Sequence, residues 1–294
     1  MSLLPSEGYP PSLCFSFEGC GNAISIVDLR SSPYSFTAED VKLLHAHIPF
    51  DQLILIHHAR SNGADVFLRI YNADGSESGM CGNGLRCLGS FLMPKKTYGP
   101  LTFETIAGLF ICERLDGDQF CVDMGRPQFL WEEIPLAHAV PDPQAISFPE
   151  YGLQEGQNVH LDSGFAVNMG NPHIVFFVKP ISNSAFQSLG PILENHELFP
   201  ERVNVSFCTV ENTSHLHLRV WERGAGPTKA CGSGACAAAI AAISKGLADR
   251  SVKVTQQGGD LVIHWRMSDN HVLMNGPVIY CSMQPIPQAI GTKL

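Results

Sequence analysis

Two five-residue segments, Leu68-Arg-Ile-Tyr-Asn72 and Leu218-Arg-Val-Trp-Glu222, stand 150 residues apart. Each leads, nine residues on, into a glycine-flanked cysteine: Cys81-Gly-Asn-Gly84 and Cys231-Gly-Ser-Gly234. Two further matches keep the same order. Gly21-Asn22 ahead of Ile-Ser-Ile-Val resembles Gly170-Asn171 ahead of Pro-His-Ile-Val, offset by 149, and Asp51-Gln52-Leu-Ile resembles Val203-Asn204-Val-Ser, offset by 152. Chance can supply one such pair, but four collinear pairs at a near-constant offset mean duplicated halves.

The coarse structure of each half agrees. Val66 to Tyr71 and Leu216 to Trp221 are short runs of β-branched and aromatic residues, as are Ile24–Asp28, Leu53–Ile56, Leu109–Cys112 and Ile174–Val178, and all read as strands. After each Cys-Gly-x-Gly the pattern becomes helical, over Leu85–Met93 and over Ala235–Ile243. The second helix is made of small residues and should be buried against close neighbours. The expected fold is α+β, with two similar, pseudo-duplicated domains. Each is a strand-rich layer enclosing a central helix, and the active-site cleft would lie between them. The halves are read as residues 1–127 and 128–278, joined in the Pro-rich stretch from Pro127 to Pro149. Residues 279–294 would cross back to the first half.

Composition narrows the partners. A net charge of −9 argues against a nucleic-acid or anionic-membrane surface. No apolar stretch approaches the ~18 residues that span a bilayer. The opening residues, Met1 to Pro11, lack a basic and an apolar signal region and read as a polar lead-in. Ten cysteines with no Cys-x-x-Cys pair make neither a disulfide scaffold nor a zinc knuckle, and the twelve histidines stand singly or in exposed-looking pairs, so no metal is expected. Reduced thiols in the cytoplasm are the default. Cys14, Cys20, Cys87, Cys112, Cys121, Cys208, Cys236 and Cys281 are expected to pack as small apolar residues.

Cys81 and Cys231 each stand at a strand-loop-helix junction. There the first N–H groups of the helix lack intrahelical partners and the macrodipole favours negative charge. Adjacent glycines let the backbone approach a ligand closely. The motif thus offers both a stabilised thiolate and a seat for a carboxylate. Rossmann and P-loop readings fail on glycine spacing. A cysteine beside a Gly-rich turn is ordinarily a buried structural residue, and the pairing is what alters that reading. Stereoinversion at carbon needs a base on one face and a conjugate acid on the other, whereas a hydrolase needs one nucleophile with its base and oxyanion site. Two like groups sharing a site resist double ionisation, so a thiolate/thiol pair is the natural resting state.

The segments Asn72-Ala-Asp-Gly-Ser-Glu…Met80-Cys81-Gly-Asn-Gly-Leu-Arg-Cys87 and Glu222-Arg-Gly-Ala-Gly…Ala230-Cys231-Gly-Ser-Gly-Ala-Cys236 resemble the two signatures of the diaminopimelate epimerase family. The similarity extends through Met169-Gly-Asn-Pro-His173, Arg202-Val-Asn204 and Phe50-Asp-Gln52. The resemblance implies an isomerase that needs no cofactor and interconverts LL- and meso-diaminopimelate for lysine and peptidoglycan synthesis. It makes Cys81 and Cys231 the two acid/bases. Asn72, Asn171, Asn204, Glu222 and Arg223 would bind substrate, with Asn22 and Gln52 in the same pocket. Gly82, Asn83, Gly232 and Ser233 would offer backbone N–H groups to the carboxylate on the reacting carbon, with His173 and Glu222 beside the thiols. The partner is a small amino acid; pyridoxal phosphate is not implied, and the sequence is compatible with a homodimer without fixing the oligomeric state.

The chain departs from the family at three positions. Gly19-Cys-Gly-Asn-Ala-Ile places Ala23 and Ile24 where the family usually has Asp and Phe, and Pro227 replaces a Glu before Thr228. These spare both thiols and bear on substrate breadth. The alternative on the same fold is a racemase for glutamate or proline. Alternatives of another class are a binding protein that has lost catalysis, and a thiol redox enzyme cycling through a disulfide.

Overall fold

The computed structural model describes residues 9–93, 99–148, 161 and 163–294. Most of the lead-in, and Pro149 at the end of the Pro-rich stretch, lie outside the described residues. The chain divides into two compact units, Met1–Asp123 with Asn275–Leu294, and Met124–Met274.

The first unit runs β1 (Leu13–Gly19), β2 (Asn22–Asp28), α1 (Ala38–His47), β3 (Gln52–His58), β4 (Val66–Asn72), β5 (Glu77–Ser78), α2 (Gly82–Leu92), β6 (Leu101–Thr105), β7 (Gly108–Arg114) and β8 (Gln119–Asp123). The second repeats that order as β9 (Gly164–Asn168), β10 (Pro172–Phe177), α3 (Asn183–Glu194), β11 (Asn204–Asn212), β12 (His215–Glu222), β13 (Gly226–Pro227), α4 (Gly232–Ser244), β14 (Ser251–Gln256), β15 (Gly259–Trp265) and β16 (Val272–Pro277). β17 (Ile279–Pro285) and α5 (Gln288–Gly291) complete the first unit, with β17 antiparallel to β1.

Strand pairing repeats as faithfully as element order. β2 is parallel to β3 and β10 to β11; β3 is antiparallel to β4 and β11 to β12; β4 is parallel to β6 and β12 to β14. A parallel neighbour needs a crossover, and α1 and α3 supply it between β2 and β3 and between β10 and β11. These two helices were not anticipated from sequence, which foresaw one helix in each half. The apolar stripe of α1 is narrow: it buries only Val41 and Leu44 besides Asp40, and its start is fixed by a capping box between Thr37 and Asp40.

The central helices are buried all round. α2 packs on β1, β2, β3, β7 and β8, and α4 on β9, β10, β11, β12, β14 and β15. α4 meets that enclosure with a run of alanines, whose slim side chains let strands approach on every side. In α2, Gly89 does the same: a Cβ there would lie 2.5 Å from Cys112 Sγ. Both helices begin three residues earlier than the apolar pattern suggests, because the glycines already form the first turn.

The stretch read as a join lies inside the second unit up to Phe148. Ile134, Leu136, Ile146 and Phe148 are buried in that unit's core, and Gln128 and Ile146 form bridges with Asn168 and Gly164. Its prolines punctuate packed chain, not a linker. Of the eight cysteines expected to be packing residues, Cys14, Cys20, Cys87, Cys112, Cys208 and Cys236 are buried and Cys121 is half-buried. Cys281 corrects that expectation: it is exposed, because β17 turns most of its residues to solvent. Burial pushes the Cys14 thiol up to about 11 and that of Cys208 to about 12, which keeps both protonated and inert.

Candidate active site

Cys81 and Cys231 are the N-cap residues of α2 and α4, both with extended backbone. In each the sulfur takes the role of a capping oxygen. Gly84 N–H donates to Cys81 Sγ at 3.2 Å, and Gly234 N–H donates to Cys231 Sγ at 3.4 Å. The second glycine of each motif sits where a Cβ would crowd its neighbours. A Cβ at Gly84 would lie 3.0 Å from Ile54 Cδ1, and one at Gly234 would lie 2.9 Å from Val220 Cγ2 and 3.3 Å from Cys231 Sγ. The N–H groups of Gly82, Asn83, Gly232 and Ser233 belong to first turns, where no intrahelical carbonyl can reach them.

The two caps differ in surroundings. Cys81 is half-buried, whereas Cys231 is buried and its own N–H donates to Gln256 Oε1 at 2.8 Å. Burial, and next the Glu222 carboxylate to which the thiol hydrogen-bonds, push Cys231 well above the usual thiol range. Ser233 Oγ, 3.5 Å from the sulfur, and the Gly234 N–H pull the other way without prevailing. Cys231 is therefore a thiol at neutral pH.

In the first unit, Gln52 and Asn72 stand opposite each other across β3 and β4, and Gln52 Nε2 donates to Asn72 Oδ1 at 3.2 Å. Asn72 Nδ2 donates to Ser76 Oγ in the turn that follows. That turn needs Gly75, at φ +84°, where a Cβ would strike the Ala38 carbonyl at 2.8 Å. Asn22 opens β2 after the left-handed pair Cys20 and Gly21. Asn83 is buried, and among the described residues its Oδ1 and Gln52 Oε1 have no hydrogen-bond partner.

The second unit builds the equivalent positions from other side chains. Asn171 Oδ1 pairs with His173 Nε2 at 2.9 Å, and His173 stands beside Asn204 in the β10–β11 register. Asn204 is buried; its Nδ2 donates to the Pro172 carbonyl and its Oδ1 accepts from Arg223 N–H at 3.0 Å. Full burial, and next the Arg223 charge, push the His173 imidazole down to about 3, so it is neutral wherever the protein is folded near pH 7. Arg223 Nη1 donates to the Glu201 carbonyl at 3.2 Å, which leaves most of its guanidinium fork unused by that contact.

The chain matches the family model described as diaminopimelate epimerase over residues 15–130 and 165–281, which takes in both cysteine motifs. It belongs to the diaminopimelate epimerase family. A diaminopimelate epimerase of Rhodopseudomonas palustris strain CGA009 is 47% identical over 259 residues, 88% of this chain and 87% of the relative. One from Bradyrhizobium sp. strain BTAi1 is 45% identical over 264 residues, 89% of this chain and 90% of the relative. Among solved structures, a phenazine biosynthesis protein of the PhzF family from Enterococcus faecalis aligns at TM-score 0.66 and 13% identity, covering 94% of this chain and 98% of the other. A hydroxyproline epimerase from Agrobacterium vitis aligns at TM-score 0.63 and 13% identity over 93% and 92%. Those two likenesses are of fold: two-part and pseudo-duplicated, as the repeat implies. No helix among the described residues is long and apolar enough to cross a membrane.

Two further residues of this family member brace the candidate site without having been singled out from sequence. Gln256 holds the Cys231 backbone from the end of β14, and Glu194 holds Trp221 and Gly224 on either side of Glu222 and Arg223. Neither sits in a motif, and only the folded register brings them there.

Proposed function

We propose that this chain is a cofactor-independent isomerase that interconverts LL- and meso-diaminopimelate. In this reading one cysteine thiolate removes the α-proton and the other cysteine, as thiol, returns a proton to the opposite face. The observation that carries it is the repeated N-cap thiol: each half supplies one cysteine whose sulfur already accepts a backbone N–H at a helix start. Family membership supplies the substrate.

Cys231 is the acid in the unliganded state, because burial and Glu222 hold its proton. Glu222 then has two tasks in sequence. Unliganded, its carboxylate accepts from the thiol and opposes thiolate formation. With the substrate ammonium bound to it, its charge is neutralised, and the Cys231 thiolate that proton donation leaves behind costs less. Gln52, Asn72, Asn22 and Asn171 supply amide groups for the polar ends of the substrate, and Asn204 fixes Arg223 for the distal carboxylate. First-turn N–H groups at Gly82, Asn83, Gly232 and Ser233 take the carboxylate on the reacting carbon and stabilise the charge that develops there. His173, neutral and anchored by Asn171, offers a lone pair at the buried Nδ1. Both thiols must stay reduced, which suits a reducing cytoplasm.

The deciding experiment incubates the reduced protein with LL-diaminopimelate in D₂O and follows α-deuterium together with stereochemistry. Exchange with inversion is expected, and Cys81→Ala or Cys231→Ala should each abolish epimerisation. Absence of α-exchange refutes the activity. Exchange only on glutamate or proline assigns a racemase instead, and a fully active single mutant refutes the two-base scheme.

A further inference from the structure

Far along β12 from Glu222, the strand reads His215-Leu216-His217, with Leu216 buried and both histidines on the other face. The register of β11 against β12 shifts between Val210 and Asn212, so Glu211 is the extra residue of a bulge. Bulges re-aim side chains, and this one turns Glu211 onto the histidine face. Its Oε2 lies 2.8 Å from His215 Nδ1 and 2.6 Å from His217 Nε2. One ligand-type atom from each of the three residues falls within 4.8 Å of the other two.

The second nitrogen of His215 decides what this cluster can hold. His215 Nε2 lies 2.8 Å from Thr255 Oγ1, and Thr255 Oγ1 donates to Asp260 Oδ1 at 2.6 Å. Since the hydroxyl spends its proton on Asp260, it accepts from His215, and Nε2 carries the hydrogen. In the neutral ring Nδ1 therefore aims a lone pair at a carboxylate oxygen, a clash that either a second ring proton or a bound metal ion relieves. A histidine whose other N–H is tied through a hydroxyl to a carboxylate is the arrangement that orients imidazole ligands in metal sites. Tetrahedral zinc with bonds of about 2.0–2.2 Å sets its ligand atoms roughly 3.4 Å apart. Side chains half open to solvent, as those of Glu211 and His217 are, can make the adjustment of about 0.6–0.8 Å that this requires.

We propose that Glu211, His215 and His217 form a surface site for a divalent transition metal, zinc above all. The donors are two imidazole nitrogens and one carboxylate oxygen, with the fourth position open to water. Nitrogen and oxygen donors of this kind suit Zn²⁺, Ni²⁺ and Cu²⁺ and not Mg²⁺ or Ca²⁺. The site would tie the β11–β12 turn to β14 and β15 through Thr255 and Asp260. It is independent of the proposed epimerisation, and the sequence reading, which expected no metal, passed over it because Glu211 joins the pair only through the bulge.

The test titrates chelator-stripped, reduced full-length protein with Zn²⁺ by calorimetry, and with Co²⁺ as an optical probe whose thiolate charge-transfer band reports any cysteine ligation. A single equivalent bound without that band is expected. His217→Ala and Glu211→Gln should lose it, and Thr255→Val should weaken it about 10–100-fold. All three should keep the far-ultraviolet circular dichroism and epimerase turnover of the parent. Binding of equal stoichiometry and affinity in the parent and all three variants, a thiolate band accounting for all bound Co²⁺, or no binding at all overturns the proposal.

Discussion

Trp221 Nε1 donates to Glu194 Oε2 at 2.8 Å, while Glu194 Oε1 accepts the Gly224 N–H at 2.7 Å. One buried carboxylate at the end of α3 thus grips both sides of the two residues, Glu222 and Arg223, that the proposed mechanism uses on substrate. Arg202 Nη1, 3.4 Å from Oε1, adds a third donor. Every group facing Glu194 donates, so the site fits an acceptor-only side chain.

Glu194→Gln tests that grip. An amide has one accepting oxygen, so either the indole N–H or the Gly224 N–H meets an NH₂ and is left unpaired, at a cost of about 1–3 kcal/mol. The expected result is a folded protein whose kcat/KM for diaminopimelate falls roughly tenfold or more, with Glu194→Asp recovering part of the loss. Unchanged kinetics in the Gln variant would show that segment 221–224 is held by other contacts.

Gly190→Ala crowds the same indole from one turn earlier on α3. A Cβ at Gly190 would lie 2.5 Å from Trp221 Cδ2 and Cε3, well inside contact distance. Alanine is the better helix former by about 1 kcal/mol, but overpacking against a ring costs about 1–3 kcal/mol and shifts the ring. The variant should unfold at lower denaturant, with altered tryptophan fluorescence and reduced activity. A stabilised variant would mean that Trp221 moves aside at no cost.

His173 makes a pH prediction with a definite sign. Its folded value of about 3 lies below the unfolded imidazole, near 6.5, so the unfolded chain binds the proton more readily. The stability that this neutral histidine contributes is complete above about pH 6.5 and is lost as pH falls toward the folded value, at up to ~1.4 kcal/mol per pH unit. The stability advantage of the parent over His173→Gln, followed by urea unfolding, should shrink from pH 7 to pH 4.5. A constant difference would mean that the ring accepts a proton while folded.

How much of this was legible in the chain depended on how local the determinant is. Cys81 and Cys231 could be found because a helix N-cap followed by Gly-x-Gly is written in consecutive residues, and the 150-residue offset could be counted. The strands around Leu53–Ile56 and Ile174–Val178 were visible because buried parallel strands are continuously apolar. Glu194 and Gln256 were not visible, since an acid at a helix end and an amide at a strand end resemble surface residues until tertiary contacts bury them. α1 and α3 were missed for local reasons: α1 buries only Val41 and Leu44 besides Asp40, and Gly190 and Pro191 interrupt the helical signal of α3. The contrast between the two thiols was legible only in part: the repeat sets Asn72 against Glu222 and the resemblance places Glu222 beside the thiols, but that it is Cys231 whose proton Glu222 and burial hold needed the fold.

That contrast gives the last prediction. Burial is the larger cause of the raised Cys231 thiol, and the Glu222 charge is the next. Glu222→Gln removes the charge and leaves the burial, so the Cys231 thiol should titrate at lower pH than in the parent while still lying above an exposed cysteine. Following iodoacetamide alkylation of the Cys231 peptide by mass spectrometry across pH 7 to 10.5 reads this directly, with the Cys281 peptide as an exposed control. The midpoint for Cys231 should move down in the variant while that of Cys281 stays fixed. Losing a carboxylate bonded to the substrate ammonium should at the same time cost about 1.5–3 kcal/mol in the transition state, or roughly 10–150-fold in kcat/KM. A more ionisable Cys231 in a slower enzyme separates the two tasks of Glu222. If the midpoint stays where it is in the parent, burial alone holds the proton and Glu222 acts on substrate only.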